Sequence, residues 1–141
     1  MTSFAFKLVH ELLTYEARVA DVLPNAQRCC KFHCPGEPEA NKIHIFFYCS
    51  TLVRVGDWLI QIVRKSEPDA TLDSIVNLEI VADESLVWII VYTLKYIWER
   101  RTSGKIAHLN ELLAEMTLDL ETLQKTDKND VATIALFHIS I

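Results

Sequence analysis

The sequence predicts an all-α protein, a single bundle of about seven helices around one hydrophobic central helix. Three observations lead there. Half of the 141 residues are hydrophobic and only three are glycine, a balance typical of a compact helical domain rather than a sandwich or a disordered chain. The run Leu86 to Tyr92 is apolar without interruption, as expected of a helix enclosed by others. Along most of the remaining chain, apolar residues recur at intervals of three and four. The length suits one domain, 1–141, large enough to bury a core.

Segment 4–23 reads as a first helix, with Phe4, Leu8, Val9, Leu12, Leu13, Val19 and Val22 on one broad face. Ser3 can cap its start, and Leu23-Pro24 ends it, because the residue before proline is pushed out of the helical region. Residues 24–42 read as a loop punctuated by Pro24, Pro35, Gly36 and Pro38. Segment 43–65 reads as one helix, apolar most of the way around, with Asn41 as a cap and Arg64-Lys65 complementing its C-terminal dipole. Within it Gly56 costs roughly 1 kcal/mol relative to alanine, so its retention suggests the close approach of another backbone. Residues 71–82 form a short helix through Leu72, Ile75, Val76 and Ile80; their branched side chains would also suit a strand, but a strand would have no partner there. Segment 84–101 is the central helix, with Asp83 as N-cap and Gly104 beyond its end. Segment 105–123 is its amphipathic partner, and 129–139 a final short helix.

The spacing Tyr48-x-x-x-Leu52-x-x-Val55-Gly56-Asp57-x-Leu59 resembles the third homology motif of the Bcl-two family of apoptosis regulators. There, four apolar positions flank a small residue and an aspartate. The order of helices, long loop, motif helix, central helix and amphipathic partner is similar too. The resemblance implies a Bcl-like bundle, most like a divergent virus-encoded pro-survival homologue. It would sequester the amphipathic death-motif helix of pro-apoptotic Bcl-family proteins in a surface groove. By position, the resemblance assigns Leu59, Val63, Ile75, Val76, Ile80, Trp88, Tyr92 and Thr93 to that groove. For Trp88 and Ile80 a groove and a core position are equally good descriptions, while Val63 suits the core better. The chain departs from the family where the groove signature Asn-Trp-Gly-Arg is expected, reading Val87-Trp88-Ile89-Ile90 instead. Without the arginine and asparagine, a charge-assisted bond of about 1.5–3 kcal/mol to the ligand is lost.

Composition narrows the other classes. A net charge of −5 and a pI near 5.5 provide no basic face for nucleic acid. The charged N-terminal segment is not a signal peptide, and no apolar run reaches the length of a membrane anchor. The expected setting is cytoplasmic, at the mitochondrial outer surface through partners, with at most peripheral membrane contact. Cys29, Cys30, His33 and Cys34 have the look of a zinc cluster. However, no second ligand pair follows at the usual spacing, and adjacent cysteines fit a tetrahedron poorly. A loop with buried thiols is the competing description, and the sequence assigns no metal site and no cofactor. His10, His33, His44, His108 and His138 fall in no nucleophile or metal-ligand spacing, so an enzyme is not expected. Two alternatives remain: a helical homodimerisation or scaffold domain, and a pro-apoptotic member using its own motif helix.

Overall fold

The computed structural model describes residues 2–80, 83–126 and 130–140. Helix α1 (Thr2–Val9) buries Phe4 and Leu8. It ends in a turn where Glu11 adopts a left-handed φ of 58°. The Leu12 N–H donates to the Lys7 carbonyl and the Glu11 N–H to the Leu8 carbonyl, the paired bonds of a Schellman cap. Helix α2 (Glu16–Val22) follows. The single helix expected over 4–23 is therefore two. The break has local compensation: Leu13 and Tyr15 are buried, and the Glu11 carboxylate accepts from Tyr15 Oη at 2.8 Å and Lys42 Nζ at 2.6 Å.

The segment expected as loop 24–42 carries an antiparallel bridge between Cys29 and Glu39. Cys30 N–H donates to the Pro38 carbonyl and Ala40 N–H to that of Arg28. Between these strands of the loop, His33 takes a left-handed φ of 55° and its N–H closes a tight turn on the Cys30 carbonyl.

The helix expected over 43–65 is also interrupted. It begins as a π-helical turn, His44–Tyr48, closed by Cys49 N–H on the His44 carbonyl at 2.8 Å. The chain then extends into β1 (Leu52–Val53), turns at Arg54 with φ of 68°, and re-enters helix as α3 (Val55–Ser66). Strand β1 lies parallel to β2 (Ala107–His108), with Leu52 opposite Ala107. The twelve-position motif is thus not one helix face. Tyr48 stands 66 % exposed on the π turn, and Leu52 sits in a strand. Val55, Gly56 and Leu59 are buried in α3, while Asp57 is exposed. The close approach expected at Gly56 is present. A Cβ there would stand 2.9 Å from the Phe47 carbonyl oxygen and 3.1 Å from its Cα.

Helix α4 (Leu72–Val76) opens with a reciprocal capping box between Thr71 and Ser74. It ends before Leu78, which has a left-handed φ of 54°. Of the segment expected helical over 71–82, the last two residues lie outside the described residues. Helix α5 (Glu84–Thr102) is the central helix: Leu86, Ile89, Ile90, Leu94 and Ile97 are fully buried. Asp83 caps it, accepting from Leu86 N–H at 2.9 Å. Helices α6 (Leu109–Gln124) and α7 (Val131–Ser140) close the bundle, with α7 against both α5 and α6. Asn129, the first residue of the expected last helix, lies outside the described residues. The fold is mostly helical with a short parallel strand pair, and no helix among the described residues is long and apolar enough to cross a membrane.

Candidate metal centre

Where the Cys30–Cys34 turn meets the π-helical turn, four donors converge. Cys30, Cys34, His44 and Cys49 are all buried, and their ligating atoms lie within 4.8 Å of one another. Each pair is prepared by its backbone. The left-handed turn at His33 brings Cys30 and Cys34 to one side of the loop. The wide π turn joins His44 and Cys49 by a bond over five residues, so both face the same way. The sulfur separations are 3.7 Å for Cys30–Cys49, 3.8 Å for Cys30–Cys34 and 3.8 Å for Cys34–Cys49. A tetrahedral zinc with bonds of about 2.3 Å separates its sulfurs by about 3.8 Å. The thiols are therefore spaced as ligands of one ion, and none is paired as a disulfide.

The imidazole supports the same description. His44 Nε2 is buried without a hydrogen-bond partner, a state that natural cores rarely tolerate. Burial first, and then the Arg101 charge, hold the His44 pKa below its ordinary value, so the ring is neutral, as a ligand must be. Among the thiols, burial pushes Cys30 up to about 11. Burial also raises Cys34, but the bonds from Ser50 overcome it and leave that thiol below its ordinary value. A bound dication deprotonates such thiols outright.

The sulfurs have an outer layer of donors. Ser50 N–H lies 3.3 Å from Cys34 Sγ and its Oγ 3.2 Å away. Thr51 Oγ1 donates to Cys49 Sγ at 3.1 Å. Arg101, in the last turn of α5 and only 3 % exposed, directs Nη1 to Cys49 Sγ at 3.5 Å and Nη2 to Cys30 Sγ at 3.6 Å. Its guanidinium also pairs with Glu16 of α2 and lies 5.0 Å from the Phe32 ring.

The cluster differs from the group singled out by spacing. Cys29 is partly exposed outside it and His33 is exposed; His44 and Cys49 take their places. The signal was present as Cys30-x3-Cys34-x9-His44-x4-Cys49, close to structural zinc spacing. A regular helix over 43–65 would set His44 and Cys49 on different faces, and the π turn is what aligns them.

The residues assigned to a partner groove are mostly core. Leu59, Val63, Ile75, Val76 and Thr93 are buried. Ile80, Trp88 and Tyr92 are half-buried, with Trp88 stacked on Tyr92 at 4.8 Å. Trp88 lines an apolar recess of about 310 Å³ with Leu120, Leu123 and Val131. Tyr92 borders a separate polar recess beside Lys95 and Asp119. No family model, curated protein or solved structure matches this chain.

Proposed function

We propose that this chain is a zinc-clasped helical domain, in which one Zn²⁺ held by Cys30, Cys34, His44 and Cys49 has a structural role. The observation that carries the proposal is the near-equal spacing of three buried sulfurs, 3.7, 3.8 and 3.8 Å, around an unpartnered imidazole nitrogen. Three thiolates and one imidazole suit zinc, whereas magnesium and calcium require oxygen donors. A two-iron cluster spreads its ligands over two ions and fits poorly with four donors all within 4.8 Å. Four protein donors leave no open coordination position, so the ion would hold structure rather than activate water. It would clasp the 24–42 segment and the π turn against the end of α5. Sequestration of an amphipathic death-motif helix has weaker support, because most of the residues it needs are in the core.

The test is metal content of the purified protein together with cobalt substitution. One zinc per chain is expected, and a tetrahedral cobalt spectrum with a sulfur-to-metal charge-transfer band. Metal content well below one per chain after zinc supplementation, with no such spectrum, overturns the proposal.

A further inference from the structure

We infer that Arg101 is the positioning residue of the metal centre: its guanidinium orients Cys30 and Cys49 as ligands and offsets the charge of the loaded site. This rests on the zinc assignment above. Three thiolates around one dication leave one net negative charge, held where all four donors are buried. An uncompensated charge there is costly. Arg101 is the cation that directs separate nitrogens to two of the three sulfurs, at 3.5 and 3.6 Å. Its planar fork makes that possible; a lysine, with one point of charge, cannot hold two sulfurs in fixed geometry.

Its own position is over-determined. The guanidinium is held by its pair with Glu16 and by the Phe32 ring, and Glu16 is itself bound to the loop, accepting from Lys31 N–H at 3.1 Å. Arg101 therefore ties three parts of the chain to the ion: α2 through Glu16, the cysteine loop through Cys30, and the π turn through Cys49. Outer partners of this kind typically contribute about 10–100-fold to metal affinity. They also tune the metal, because N–H bonds to a thiolate stabilise its lone pairs.

The experiment compares wild type, Arg101→Met and Arg101→Lys by zinc competition against a chromogenic chelator and by cobalt spectra, with helicity checked by circular dichroism. Arg101→Met is expected to weaken zinc binding about 10–100-fold and to move the sulfur-to-cobalt band to lower energy. Arg101→Lys is expected to fold and to recover part of the affinity but not the full band position. A merely structural role would leave that band in place. If wild type binds cobalt and both variants match it in affinity and band energy, the role of Arg101 is overturned while the zinc assignment stands. If wild type shows no thiolate–cobalt band, the zinc assignment falls and this inference with it. If Arg101→Met does not fold, the lysine variant decides: an unshifted band at wild-type affinity refutes the inference.

Discussion

Replacing Cys49 with serine removes one of the four donors and opens the cross-link that an ion at this site provides. From Cys30 through Cys49 the closed loop contains 20 residues. Treated as a cross-link, closure of a loop that size removes about 11 cal/mol/K of chain entropy from the unfolded state, or about 3 kcal/mol at 25 °C. The full loss is larger. His44 Nε2 again lacks a partner, and a structural zinc contributes about 10–16 kcal/mol of apparent binding energy in small zinc domains. A chain of 141 residues has an unfolding entropy near 0.3 kcal/mol/K, so about 3 kcal/mol corresponds to a fall of about 10 °C in Tm. The assay is thermal unfolding followed by circular dichroism in zinc-containing buffer, with Cys29→Ser as control. Cys29 is partly exposed and outside the cluster, so its change should stay within about 0.5 kcal/mol. The expected result is a loss of at least about 10 °C for Cys49→Ser and a chelator-sensitive melt for wild type and Cys29→Ser but not for Cys49→Ser. Equal melting of Cys49→Ser and wild type, with or without chelator, would refute the reasoning.

Gly56→Ala drives a methyl group to 2.9 Å from the Phe47 carbonyl oxygen, against backbone that cannot easily yield. A cost of about 1–3 kcal/mol is expected in denaturant unfolding, despite the better helix propensity of alanine. Asp83→Ala removes the α5 cap and should cost about 1 kcal/mol near neutral pH. The Ser85 hydroxyl, followed by the Leu86 N–H and the His138 charge, outweighs burial and holds the Asp83 carboxyl below its ordinary value of 3.8. Its contribution is therefore fully present above that value and is lost as pH falls through the lower folded pKa. The stability gap between wild type and variant should narrow in acid melts. Zinc loading should release protons from the three cysteines and weaken as pH falls, because protons compete for thiolate and imidazole. Calorimetry in buffers of different ionisation enthalpy reads that release directly, and pH-independent binding would contradict thiolate ligation.

Much of the helical frame was legible from local chemistry. The apolar run of α5, its Asp83 cap and the spacing of Leu112, Met116 and Leu120 in α6 depend on neighbours three or four residues away. The steric demand at Gly56 was legible for the same kind of reason, because a glycine inside a helical pattern implies a close neighbour. The breaks were not. Glu11 and Arg54 take left-handed backbone without being glycine, and nothing in their local sequence announces it. Leu52 and Val53 leave the helix to pair with Ala107 and His108, a partner far along the chain that periodicity does not see.

The metal centre shows the same division. Its donors are written in the sequence at Cys30, Cys34, His44 and Cys49, and two of them sit beside decoys, Cys29 and His33, of equal chemical standing. The choice among them was tertiary. Only the turn at His33, the π turn at His44–Tyr48 and the arrival of Arg101 from the end of α5 select which four atoms meet. What the sequence by itself determined is what short-range sterics and burial determine: a helical chain, a buried central helix, a glycine under contact. What only the tertiary structure decided is where distant polar groups converge, because ligation depends on distances of a few ångströms between segments that local periodicity leaves unrelated.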